Sequence, residues 1–260
     1  MSDLLEFAGT SELSDTWGTL KEFEFLQDIP RTNLEFWWKA DDITTAADGD
    51  AITTLTNIAG TGNPTQGTLA NRAIYRTNSI NGRPALDFDG VNDYYIVNGP
   101  QAAFLGEDLP ITAYAVYSAD VTNVIMCYLS MGRVFTSGTS LRFINRDTGV
   151  YRAIKTDDAG TTVNRDGGTA KTTPVLRVDL SPGTTYSLWE NETSEVSAGA
   201  FNVGNLTVAR FAIGAAYIQD VVSGYFNGQI AEVLVYSTSH SEATRLLITR
   251  YLKNKYRLYV

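Results

Sequence analysis

The stretch Ile80-Asn81-Gly82-Arg83-Pro84-Ala85-Leu86-Asp87-Phe88-Asp89-Gly90-Val91-Asn92-Asp93-Tyr94-Tyr95 decides the reading of the fold. Two short apolar runs, 85–88 and 94–97, flank Asp89-Gly90. Glycine tolerates the positive φ of a tight turn, and an aspartate before it bonds the backbone N–H groups that follow. A hairpin is expected here. The same punctuation by Gly, Asn, Asp and Pro recurs along the chain and separates strand candidates at 34–39, 111–118, 124–131, 141–145, 150–155, 175–180, 185–190, 206–214 and 226–236. In 175–180, Leu176, Val178 and Leu180 alternate with Arg177 and Asp179, the pattern of a half-buried strand. In 226–236, Ile230, Glu232, Leu234 and Tyr236 fall on one face and Ala231, Val233 and Val235 on the other, again a strand buried on one side. Residues 40–77 show little periodicity and are expected as long loops with one or two weak strands. Strands at this spacing predict an all-β, two-sheet antiparallel sandwich.

One helix is expected, at the C-terminus. Ser239-His240-Ser241-Glu242 has the S-x-x-E form of a capping box, which places Ser239 at the N-cap. Leu247 and Tyr251, and Ile248 and Leu252, fall four apart on one side. Arg245, Lys253, Lys255 and Arg257 put positive charge toward the end that the helix dipole favours, and about four turns are expected.

The chain has 260 residues, 43% of them hydrophobic and 19% charged, enough apolar material for a sizeable core. A net charge of -9 without clustered Lys or Arg argues against a nucleic-acid partner. No apolar run approaches the roughly 20 residues of a membrane-spanning helix, so no membrane insertion is expected. The start, Met1-Ser2-Asp3-Leu4-Leu5-Glu6, lacks the features of a secretory signal. Synthesis in a cytoplasm without a signal peptide is the corresponding expectation. Lone Cys127, in an apolar run, reads as a buried structural thiol.

Residues 1–33 differ from the rest. Asp3, Glu6, Glu12, Asp15, Glu22, Glu24 and Asp28 face only Lys21 and Arg31, yet Trp17, Phe23, Phe25 and Leu26 are too apolar for a solvated linker. This segment is expected to be an acidic amphipathic assembly arm, with 34–260 as the autonomous domain.

Three segments carry a resemblance: Phe36-Trp37-Trp38-Lys39-Ala40-Asp41 with Asp48-Gly49-Asp50, the hairpin quoted above, and Phe226-Asn227-Gly228-Gln229-Ile230-Ala231-Glu232-Val233-Leu234-Val235-Tyr236 with the tail Tyr251-Leu252-Lys253-Asn254-Lys255-Tyr256. Together they resemble the concanavalin A-like, laminin-G-like jelly-roll superfamily, in particular its phage-borne members, over roughly 36–258. The resemblance implies a jelly-roll sandwich and a non-enzymatic structural protein of a bacteriophage virion, a capsid decoration or tail-associated subunit. Its implied partners are the major capsid or tail proteins, further copies of itself and a glycan. The alternatives are a cellular carbohydrate-binding module and, third, a glycan hydrolase or lyase.

Glycanases of this superfamily use paired carboxylates on one strand, in an E-x-D-x-E pattern that is absent here. Asp87 and Asp89 are the nearest pair, and no catalytic residue is assigned. The only histidine, His240, reads as a surface residue, and one His with one Cys leaves no ordinary zinc site. No cofactor is expected. Should calcium bind, Asp89, Asn92 and Asp93 are the first ligands to consider, although turn geometry alone accounts for such residues. Trp37, Trp38 and Trp189 lie in strands, where one of two adjacent side chains points outward, and exposed rings could stack on sugars.

Overall fold

The computed structural model describes residues 29–60, 62–98, 106–108, 110–132, 139–145 and 147–259. Trp17, Phe23, Phe25 and Leu26 of the expected arm lie outside the described residues. In chain order the strands are β1 Leu34–Lys39, β2 Ile74–Ile80, β3 Arg83–Asp89, β4 Tyr95–Asn98, β5 Gly106–Glu107, β6 Ile111–Ala119, β7 Met126–Gly132, β8 Ser140–Asn145 and β9 Val150–Thr156. They continue as β10 Thr162–Thr169, β11 Val175–Ser181, β12 Thr185–Glu190, β13 Thr193–Ala200, β14 Asn205–Leu206, β15 Arg210–Ile213, β16 Ala216–Ile218, β17 Val221–Ser223 and β18 Asn227–Tyr236, before one α-helix, α1 Glu242–Tyr256.

The larger sheet runs β13-β12-β11-β6-β18-β3-β2, with β1 also paired to β18; the second runs β10-β9-β8-β7-β15-β4. Pairing within both is antiparallel, as in the expected sandwich. Between them lies an aromatic-rich core that includes Phe36, Trp38, Phe88, Tyr117, Tyr128, Phe143, Phe211 and Phe226. A second apolar layer, with Trp37, Tyr114, Leu176, Val178, Leu234, Ile248 and Leu252, joins the larger sheet to α1. That sheet is therefore covered on both faces, which explains the unbroken burial along β6.

Two sequence expectations are corrected by this third layer. Strand β11 is not half-buried: Arg177 and Asp179 are 0% exposed, because the second sheet covers their face while α1 covers Leu176 and Val178. Strand β18 is likewise buried on both sides, and a bulge breaks its alternation. Ile230 pairs with Tyr117 but Glu232 pairs with Val116, so Ala231 is an extra residue. Ile230 thus joins Val233 and Val235 in the sandwich core, and Leu234 and Tyr236 face the helix.

The helix starts later than its sequence signal. Ser241, not Ser239, is the N-cap, and its Oγ accepts from the Thr244 N–H at 3.2 Å. Thr112 holds the preceding residues to β6, donating to the Thr238 carbonyl and accepting from the His240 N–H, so the chain cannot turn helical before Glu242. His240 is not a surface residue as expected. It is half-buried against the Tyr236 ring, with Nδ1 2.8 Å from the Tyr114 hydroxyl, and burial pulls its pKa down to about 4.

Candidate functional site

Most of the buried charge serves the fold. Between the sheets, the Arg177 guanidinium pairs with Asp179, which also accepts from the hydroxyls of Tyr128 and Tyr186. Glu190 accepts from Tyr151 at 2.7 Å and pairs with Lys171. Under the helix, Glu232 accepts from Trp37 Nε1 and Lys255 Nζ, each at 2.7 Å, and from Tyr256 at 3.0 Å. Carboxylates sealed in and bonded in this way are not open to a substrate. Asp87, one of the pair weighed for catalysis, is tied to Arg76 at 3.2 Å and to Gln229 at 2.9 Å.

The turn at Asp89-Gly90 is not the hairpin expected: β3 pairs with β2 and β18 in the larger sheet and β4 with β15 in the second, so the turn is a corner between the sheets, and it brings the three candidate calcium ligands together in turn geometry. Asp89 Oδ1 accepts from the N–H groups of Val91 and Asn92 at 2.8 and 3.1 Å, and the Asp89 N–H donates to Asp93 Oδ2 at 3.0 Å. Gly90 has φ +73, and a β-carbon there would meet the Asn227 side chain at 2.7 Å. Burial, with the charges of Asp89 and Asp87 adding to it, pushes the Asp93 carboxyl up to about 6. Among the described residues no group of three His, Cys, Asp or Glu side chains is placed to hold a metal ion.

The tryptophans of β1 offer no stacking platform. Trp37 and Trp38 point to opposite faces, as adjacent strand residues do, but each is 1% exposed because both faces are covered. Trp189 is half-buried under the Arg245 guanidinium, 4.2 Å from its ring. At one end of the sandwich, Met131, Leu141, Lys155 and Phe201 line a cavity of about 20 Å³, room for about one water and not for a sugar.

The outer face of the six-stranded sheet is different. Along β8, Leu141 and Phe143 point into the sandwich, so Arg142 and Ile144 point outward. Register sets Arg142 between Ser130 and Ile154, with Asn164 beyond Ile154 and Asp166 beyond Arg152. Cys127, Ile144, Ile154 and Ala216 form a separate apolar floor on this face. The β16–β17 hairpin walls one side, held by the Ser130 hydroxyl, which accepts from the Tyr217 N–H and donates to the Ala215 carbonyl, each at 2.9 Å. Cys127 is buried as expected, its thiol pushed up to about 12 by burial.

Three arginines rise from this floor in a chain of net charge -9. Arg152 engages both oxygens of Asp166. Arg210 lies against Tyr217, whose hydroxyl donates to Asp220 at 2.5 Å. Arg142, between them, has its Nε shut off from solvent and without a hydrogen-bond partner among the described residues. Burial pulls its pKa below the usual arginine value, and the neighbouring Arg152 charge pulls the same way. Sequence reasoning missed this face, and its one signal was a single arginine inside the apolar run 141–145.

No protein-family model matches the sequence, and no curated protein aligns with it. The chain is similar in structure to parts of several solved proteins. A Trypanosoma rangeli sialidase in complex with the inhibitor DANA superposes on 93% of this chain with a TM-score of 0.55 at 9% identity, and the match spans 39% of that enzyme. The CBM40 module of a Ruminococcus gnavus IT-sialidase, bound to alpha2,3 sialyllactose, superposes on 55% of this chain and 83% of its own at 15% identity, with a TM-score of 0.47. The NanB sialidase of Streptococcus pneumoniae matches 52% of this chain and 23% of its own, at 16% identity and a TM-score of 0.45.

Proposed function

We propose that this chain is a glycan-binding module that holds sugar on the outer face of the six-stranded sheet. One observation carries the reading: exposed Thr162, Asn164 and Asp166 and half-buried Arg142 and Arg152 surround the buried apolar floor of Ile144 and Ile154. Sugar rings present hydroxyls at their edges and C–H groups on their faces, so polar groups around an apolar base match them. Binding is favoured over catalysis because Asp179, Glu190 and Glu232 are each consumed by fold-stabilising partners. The bacteriophage reading rests on motif resemblance and on an arm of which residues 1–28 lie outside the described residues, and nothing in this face adds to it. The carbohydrate-binding alternative is therefore preferred.

Screening the full chain on a broad glycan array, followed by titration of the best binder, tests the proposal. Binding is expected, and Asn164→Ala together with Arg152→Ala should weaken it about tenfold or more at unchanged melting temperature. An array with no binder, or an affinity that the double variant leaves untouched, would overturn it.

A further inference from the structure

We infer that the middle of this face is an anion subsite, in which Arg142 takes the carboxylate or sulfate of an acidic sugar. The inference rests on the glycan-binding reading and names its ligand class. Its starting point is a charge imbalance. Two of the three arginines are held within the protein, Arg152 by Asp166 and Arg210 beside the Tyr217–Asp220 pair. Arg142 has no such partner among the described residues, although the chain carries 29 acidic side chains against 20 basic ones.

A half-buried guanidinium without a counter-ion is costly, because its donors lose water and gain no acceptor. In an acidic chain a nearby Asp or Glu would remove that cost. The side chains beside Arg142 in register are instead Ser130 and Ile154, with Arg152 on the diagonal, about 7 to 8 Å away in a sheet of this kind. Arg152 is already neutralised by Asp166, so among the described residues of this face Arg142 is the guanidinium left to meet an incoming anion. The fork of a guanidinium also fits the two oxygens of a carboxylate. The apolar floor and Asn164 then receive the ring and its hydroxyls.

The test uses the full chain and three oligosaccharide probes of equal length: an oligogalacturonate, its carboxyl-reduced neutral counterpart, and that counterpart sulfated. The acidic probes should bind about tenfold or more tightly than the neutral one, and Arg142→Gln should erase the difference. Arg142→Lys, which keeps the charge without the fork, should retain part of it. Preference for the uronate over the sulfated probe, or the reverse, identifies the source of the anion at this subsite. Equal binding of all three, or an acidic preference that survives Arg142→Gln in a folded protein, would overturn the anion subsite while the sugar reading stands. Failure of every sugar to bind, even with an Arg142-dependent affinity for an acidic peptide, would overturn both.

Discussion

Glu232 and Lys255 meet at 2.7 Å with side chains 0% and 4% exposed, joining the bulged strand β18 to the last turn of α1. Lys255 also pairs with Asp41. The C-terminal helix is thus fastened by buried charge as well as by apolar contact. A lysine that the sequence places near a solvated helix end is in fact an anchor.

Breaking this pair should be severe. Glu232→Gln leaves Lys255 buried with one carboxylate fewer and Trp37, Tyr251 and Tyr256 with a weaker acceptor, a loss of roughly 3 kcal/mol or more. Urea denaturation measures it, and a change below about 1 kcal/mol would show that Asp41 alone suffices.

Burial lowers the Lys255 pKa, but Glu232 and Asp41 outweigh it and the value ends above 10.5. Its stabilisation is therefore full below the unfolded value and is lost as pH rises through the folded one. The expected outcome is an alkaline loss of stability that is smaller in Lys255→Met than in wild type, the part that remains coming from buried tyrosines such as Tyr114, Tyr128 and Tyr186, whose pKa values burial raises as well.

The two serines before the helix should separate cleanly. Ser241→Ala removes the acceptor for the Thr244 N–H and should cost about 1 kcal/mol, whereas Ser239→Ala should stay within about 0.5 kcal/mol. Thermal melts of the two variants decide between the two cap positions.

The turn at Asp89-Gly90 and the strand Thr185–Glu190 are legible because turn chemistry and apolar runs coincide there, but that the turn joins two sheets instead of closing a hairpin is decided by the partners of β3 and β4, which lie far away in sequence. Strand β10 was not: Thr162-Val163-Asn164-Arg165-Asp166-Gly167-Gly168-Thr169 is an edge strand, held by backbone pairing to β9 and without an apolar face to announce it. The bulge at Ala231 was equally silent, since one extra residue inverts an alternation without changing composition. Ser239-His240-Ser241-Glu242 supports two registers of a cap, and only Thr112, far away in sequence, chooses between them. Arg142 belongs to the same class. A cation in an apolar strand reads alike whether it faces solvent or a site, and its lack of a partner is a property of neighbouring strands.

Asp93 gives the sharpest pH test. It is 4% exposed, and burial, reinforced by Asp89 and Asp87, raises its pKa from 3.8 to about 6. A carboxyl whose folded pKa lies above its unfolded one is penalised in the fold once ionised. The Asp93 contribution to stability should therefore decline as pH rises from about 4 to about 6 and then level off; His240, with its pKa pulled down to about 4, contributes with the opposite sign over this range, so the difference between wild type and an Asp93 variant is what isolates the carboxyl. Asp93→Asn keeps an oxygen to accept from the Asp89 N–H but has no charge to bury. At pH 7 it should be more stable than wild type by about 1 to 2 kcal/mol, and at pH 4 the difference should shrink toward zero. Calcium bound by Asp89, Asn92 and Asp93 would reverse that sign, since the ion needs the ionised carboxylate. Melts at both pH values, each with added calcium and with a chelator, read both effects at once. A variant destabilised only when calcium is present would establish a metal site in this turn, and a variant stabilised at pH 7 regardless of the ion would establish a buried, uncompensated acid.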